Sequence, residues 1–277
     1  DMLPFPAVDD ILPTALSKIS VPGKASAPKR MDFTYPPELP VTTHHDDILA
    51  ALRSHPVLVV CGDTGSGKTT QLPKMALEHL LADGRPHARV ACTQPRRLAA
   101  VTMATRVAHE LKGEVGGLVG YRHRFARKVS RDTQITFMTD GVLLAETRSN
   151  PLLRAWDVII VDEAQFLTRE EVMYLVHLVD DCGIPVMCYG LRADFRGELF
   201  PGSYELLVMA DKLEEVKTIC WCGKKAAFNA RFDANGKVLK EGEQVVLGAN
   251  DQYIGLCRRH WMAGDLGPDF NGQGTGD

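Results

Sequence analysis

The run GDTGSGKTT, residues 62–70, sets Gly62 and Gly67 at the spacing G-x-x-x-x-G-K-[ST], ahead of Lys68 and Thr69. Gly62, Gly65 and Gly67 let the backbone wrap close to phosphate oxygens. Successive N–H groups, those of Ser66 and Thr70 among them, then face the anion together with the start of the following helix. Lys68 is placed to reach β- and γ-phosphates, and Thr69 to help hold Mg²⁺. A second chemical pair, Asp162-Glu163, ends the apolar run VIIV (158–161). One acid supports the metal and the other, Glu163, can take a proton from an attacking oxygen. Gln165, just beyond the pair, joins the expected nucleotide contacts. A third set is Cys220-x-Cys222 and Cys257-x-x-His260, separated by 34 residues. Three thiolates and one imidazole suit a closed, structural Zn²⁺ site.

These residues need strands that end at one edge and helices that start there. VLVVC (57–61) precedes the glycine loop as a buried strand, and residues 67–84 read as a helix stopped by Gly84. Strands are expected at 88–94, 133–139, 157–164 and 184–190, and helices at 46–53, 96–112 and 169–181. Strands and helices alternating at this length imply a mainly parallel sheet covered on both faces. After about residue 214 the pattern turns β-rich, with a hairpin at 231–239 that has Asn-Gly in its turn. That part is too small to carry much core of its own, and zinc would staple it. The expected division is an irregular arm over 1–40, a nucleotide-binding core over 41–213, a zinc subdomain over 214–262 and a disordered tail over 263–277. The arm holds eight of the sixteen prolines, and proline blocks regular structure.

The 277 residues carry a formal charge of −3, which excludes a global electrostatic grip on nucleic acid. A local patch remains open: Arg122, Arg124, Arg127, Lys128 and Arg131 lie among Tyr121 and Phe125, a pattern suited to tracking an RNA backbone. The same stretch reads equally as a solvated charged loop. No run of 18 apolar residues and no export signal is visible, so a cytoplasmic protein with reduced thiols is expected. Cys61, Cys92, Cys182 and Cys188 lie in apolar runs and read as packing residues.

Two resemblances meet at the acid pair. GDTGSGKTTQLP, TQPRRLAA and GYRHRFARKVSRDTQITFMTDGVLLAE resemble the first motor lobe of DEAH-box RNA helicases, over residues 41–163. Gln165 stands where that family has His, and no second motor lobe follows. DEAQFLTREEV, IPVMCYGLRADFRGELFPGS, ADKLEEVKTICWCGKKA and EGEQVVLGANDQYIGLCRRH resemble bacterial type II, zinc-containing thymidine kinases, over residues 157–262. The fold both imply is a RecA-like P-loop core with a small zinc-bound β-rich subdomain. The kinase resemblance implies ATP and thymidine as substrates and Glu163 as base toward the 5′-hydroxyl. It implies Phe195 packed on thymine, a lasso loop over 244–256 with Val246 and Tyr253 at the nucleoside, the four zinc ligands named above, and a homotetramer. Ala193 and Ala249 depart from the kinase pattern, which usually has Thr and Gly there. The expected function is phosphoryl transfer from ATP to thymidine. The alternatives are a truncated helicase lobe binding ATP and RNA, and an inactive fusion.

Overall fold

The computed structural model describes residues 33–62, 65–150, 152–216, 218–233, 235–244 and 252–268. An eight-stranded sheet forms the body, in the order β4-β3-β5-β2-β6-β7-β1-β8. Its strands are β1 (Val57–Cys61), β2 (Val90–Gln94), β3 (Val119–His123), β4 (Ala126–Lys128), β5 (Ile135–Thr139), β6 (Val158–Val161), β7 (Val186–Gly190) and β8 (Lys212–Glu215). Every pairing is parallel except β3 with β4. β2 and β6 are buried throughout, as expected of strands covered on both faces.

The helices are α1 (His45–Ser54), α2 (Lys68–Ala82), α3 (Arg97–Glu110), α4 (Asp140–Thr147), α5 (Arg169–Asp180), α6 (Pro201–Met209) and α7 (Arg258–Ala263). They lie within a few residues of the expected spans where one was expected. Helix α5 begins with a capping box: Glu171 N–H donates to the Thr168 hydroxyl and Thr168 N–H to the Glu171 carboxylate.

The two halves distinguished by sequence share this sheet. β1 lies between β7 and β8, with Val57 opposite Val186 and Leu58 opposite Lys212. One hydrophobic core contains Leu72 and Ile135 together with Met187, Tyr189 and Val216. The boundary expected near 213/214 falls inside β8, which pairs with β1 as far as Glu215 opposite Cys61.

Residues 1–32 of the expected arm lie outside the described residues. Its last part is not loose: Phe33, Tyr35 and Leu39 pack on the core, and a 3₁₀ turn spans Pro40–His44. The basic stretch 121–131, read as an RNA-tracking patch or a charged loop, falls on the β3–β4 hairpin at the sheet edge.

β9 (Phe228–Phe232), β10 (Val238–Leu239) and β11 (Gln252–Leu256) make a second sheet in the order β10-β9-β11. The hairpin is closed by Asp233, whose carboxylate accepts from the N–H groups of Asn235 and Lys237, while Gly236 sits at φ 76°. Cys220, Cys257 and Trp261 join Phe232 and Leu256 in a small separate core.

Candidate active site and metal centre

β1 delivers the glycine loop and α2 starts directly behind it. Gly65 and Gly67 have φ of 81° and 88°, left-handed values that glycine adopts without strain. Lys68 is buried, and its ammonium donates to the Gly62 carbonyl at 2.6 Å and the Ser66 hydroxyl at 2.9 Å. These bonds hold it inside the loop that anionic oxygens would enter. The loop walls a cavity of about 270 Å³ with Thr69, Thr70, Met103, Asp162, Glu163, Gly190 and Leu191.

β6 ends at the opposite wall. The Asp162 carboxylate accepts from the Thr69 hydroxyl at 3.1 Å and from the Gln94 amide at 2.7 Å. Its other oxygen accepts from Glu163 N–H at 2.8 Å. Burial, reinforced by the neighbouring Glu163 charge, pushes the Asp162 carboxyl up to about 6, against the pull of those three donors. A hydroxyl and a carboxylate meeting over a phosphate loop are the donor set a hard divalent cation such as Mg²⁺ takes.

Glu163 itself has left-handed backbone, φ 52° and ψ 35°, an uncommon conformation for a residue with a side chain. Gln165 steadies it. The buried Gln165 amide donates to the Glu163 carboxylate at 2.5 Å, and its oxygen accepts from Leu191 N–H at 3.1 Å. Gln165 thus ties Glu163 to the end of β7. It does not line the phosphate cavity. Gln94, Gly190 and Met103 were not anticipated. Gln94 is visible in the sequence as the polar end of a buried strand, a weak signal without the fold.

The expected nucleoside residues are not among those that line the phosphate cavity. Phe195 is buried in the loop after β7, with the Arg231 guanidinium 5.2 Å from its ring centre and its carbonyl accepting from Trp261 Nε1. Asp194 anchors that loop, accepting from Arg196, from Glu198 N–H and from the Gln244 amide. Tyr253 is not in a loop but on β11, opposite Arg231. Val246 lies outside the described residues. Neither Phe195 nor Tyr253 lines the cavity that holds Glu163.

The four C-terminal donors do converge. Cys220, Cys222, Cys257 and His260 present donor atoms within 4.8 Å of one another. Cys220 Sγ is 3.3 Å from His260 Nδ1, and Cys222 Sγ is 3.9 Å from Cys257 Sγ. Tetrahedral zinc bonded to two thiolates implies an S···S edge of about 3.8 Å. The spacing fits, with Nδ1 as the imidazole donor. The His260 ring stacks on Trp221 at 4.2 Å, which fixes its orientation.

The basic segment is only partly available. Arg122 is paired with Glu146 at 2.9 Å. Arg124, Arg127, Lys128 and Arg131 are exposed, and Phe125 is exposed between the Arg97 and Arg124 guanidinium groups.

A family model described as thymidine kinase matches residues 122–261, half of the chain. The chain belongs to the thymidine kinase family. A model described as DEAD/DEAH box helicase matches residues 42–181, an equal length, so the chain belongs to that family through its first half. The two matches overlap over 122–181.

Among curated relatives, a thymidine kinase of Legionella pneumophila (strain Lens) is 54% identical over 117 residues, 42% of this chain and 56% of that protein. One from Shigella dysenteriae serotype 1 is 51% identical over 125 residues, 45% of this chain and 61% of that protein. One from Jannaschia sp. (strain CCS1) is 57% identical over 103 residues, 37% of this chain and 53% of that protein. The chain therefore spans little more than half the length of the curated relatives it matches. The thymidine kinase match runs from β3 to α7. Among the described residues no helix is long and apolar enough to cross a membrane.

Proposed function

We propose that this chain transfers the γ-phosphoryl group of ATP to the 5′-hydroxyl of thymidine. The observation that carries the reading is the position of Glu163, a carboxylate in the wall of the phosphate-loop cavity, held by Gln165 and facing the Lys68 loop. The backbone N–H groups of residues 65–69 and the start of α2 receive the phosphates. Lys68 turns from the Gly62 carbonyl to the β- and γ-oxygens; Thr69 and Asp162 would hold Mg²⁺, which would supply neutralising charge to the transferring group. Glu163 takes the proton from the attacking hydroxyl. Phe195, Val246 and Tyr253 form the thymidine side, which requires the Arg231 guanidinium to leave the Phe195 ring. Cys220, Cys222, Cys257 and His260 hold a structural Zn²⁺ at the base of β11. A homotetramer and a cytoplasmic setting go with this reading, and the seven unpaired cysteines agree with the latter. The helicase-like and kinase-like sequences meet at β6, where both families end a strand in Asp-Glu beside a phosphate loop.

The exposed Phe125, flanked by Arg97 and Arg124, favours one second reading: an ATP-binding lobe that touches RNA.

The test is transfer of label from γ-labelled ATP with Mg²⁺ to thymidine, beside reactions with RNA and with no acceptor. Labelled thymidine monophosphate, reduced about 10²-fold or more in Glu163→Gln, is the expected result. Free phosphate alone, rising with RNA, would sink the kinase reading and support the second.

A further inference from the structure

Tyr189, near the end of β7, is 1% exposed, and its hydroxyl has no hydrogen-bond partner among the described residues. A buried hydroxyl left unpaired costs stability, and phenylalanine would fill the same space without that cost. The strand register shows what the hydroxyl stands beside. β6 runs between β2 and β7, with Val161 opposite Thr93 on one side and Cys188 on the other. The next residues along, Gln94, Asp162 and Tyr189, follow in the same register and share one face of the sheet. All three are buried, and α2 covers that face, with its Leu72 in one core with Tyr189 and Val60. Tyr189 therefore flanks Asp162 on the side away from Gln94.

Asp162 has room for a further donor. A carboxylate offers about four lone-pair positions. Gln94 and Thr69 donate to one oxygen, at 2.7 Å and 3.1 Å, and Glu163 N–H to the other. The Thr69 bond is long for a hydroxyl on an ionised acceptor, where about 2.5–2.7 Å is usual. Thr69 is also the residue whose oxygen would turn to Mg²⁺. Burial, then the Asp162 charge, push the Tyr189 phenol well above its ordinary range, with Thr69 pulling the other way. The phenol keeps its proton and stands among these groups as a donor without an acceptor.

We propose that Tyr189 is a positioning residue for the Mg²⁺ site, a donor in reserve that closes on the Asp162 carboxylate when Thr69 turns to the ion. In the resting fold Thr69 and Gln94 hold Asp162. When the Thr69 oxygen serves as a ligand, its hold on Asp162 weakens, and the Tyr189 hydroxyl takes over. The carboxylate then stays aimed between Gln94 and Tyr189. Thr69 and Gln94 lie in the helicase-like half and Tyr189 in the kinase-like half, and the interleaved sheet brings them together. The inference rests on Thr69 and Asp162 as the Mg²⁺ site, and not on thymidine as the acceptor.

The experiment compares the full chain with Tyr189→Phe by titration calorimetry with a non-hydrolysable ATP analogue, once with Mg²⁺ and once with EDTA. With Mg²⁺ the variant should bind the analogue about tenfold more weakly, the low end of what a hydrogen bond to a charged group supplies. With EDTA the two should agree within about twofold, since the hydroxyl is then unpaired in both senses of the comparison. Urea unfolding without nucleotide or metal should find the variant at least as stable as the parent, because Phe removes only an unpaired hydroxyl. Equal affinities with Mg²⁺, or an equal loss with and without it, would overturn the proposal. A lower urea midpoint for the variant would overturn it too, by showing that the hydroxyl is paired in the resting fold. A parent whose binding of the analogue ignores Mg²⁺ would remove the Mg²⁺ site and the proposal together. The expected Mg²⁺-dependent loss, with no label transfer to thymidine in the parent, would uphold the proposal and remove the kinase reading.

Discussion

A Cβ on Gly190 would overlap Oε1 of Gln165 and come within 3.2 Å of Ala164 N. Gln165 cannot yield without releasing either Leu191 N–H or the Glu163 carboxylate. Gly190→Ala is therefore expected to lower thymidine phosphorylation about 10²-fold, the penalty for displacing a reacting group by roughly an ångström, while ATP binding changes little. Steady-state kinetics beside nucleotide titration would show whether the loss is confined to turnover; an unaltered rate would mean that Gln165 does not set the position of Glu163. At this scale the sequence was legible wherever chemistry is written in contiguous spacing. The Lys68–Thr69 loop, the Asp162-Glu163 pair and the four C-terminal donors can be found that way. Gln94 and Gly190 cannot, because their roles depend on which strand lies beside β6. Tyr253 and Phe195 could be named only through family likeness, and neither is among the residues that line the cavity that holds Glu163.

A polar cluster joins two helices. On α2, the fully buried Lys74 ammonium donates to Glu110 of α3 at 2.7 Å and to the Thr34 carbonyl at 2.7 Å. Arg106 and the Gln71 amide also donate to Glu110. Burial raises the Glu110 carboxyl, and the donors more than offset that and hold it below its ordinary range. Glu110→Gln leaves a buried ammonium without its counter-charge and should cost about 3–5 kcal/mol in urea unfolding. A loss under 1 kcal/mol would show, on roughly the scale of an exposed pair, that water reaches Lys74. Nearer the start of the chain, His45 of α1 meets Glu78 of α2 at 3.0 Å and Asp46 at 2.9 Å, with the Tyr35 ring at 4.6 Å. Partial burial lowers its pKa, but the two carboxylates outweigh burial and the net shift is upward. The folded state thus binds this proton more tightly than the unfolded state does. Its stabilisation is full below the ordinary value of 6.5 and is lost as pH rises through the raised one. The urea midpoint of His45→Gln should fall furthest below the parent's at acidic pH and converge with it at alkaline pH. A gap of constant size across that range would contradict the assignment. The β3–β4 hairpin was not foreseen because an exposed, charged edge strand has no apolar alternation to betray it.

The whole molecule turns on how the halves interleave. Sequence reading takes residues 41–213 as one nucleotide-binding core whose two resemblances meet at the acid pair. The sheet inserts β7 between β6 and β1 and adds β8 outside β1, so the strand before the glycine loop takes both its neighbours from the later half. Leu58, Val59 and Val60, all buried here, would lose their lateral partners in a chain ending at residue 163. An unpaired central strand exposes a row of backbone donors and acceptors as well as its apolar faces. A fragment of residues 1–163 should therefore show no cooperative urea transition, and circular dichroism and fluorescence should not change together. The intact chain should show one transition for the sheet. A fragment that unfolds sharply and still binds ATP would mean that the first half folds as its own lobe, with the kinase-like strands as later additions. In the interleaved fold, neither half can be kept while the other is lost, so the phosphate loop and the Glu163–Gln165 turn are held in register by a single core.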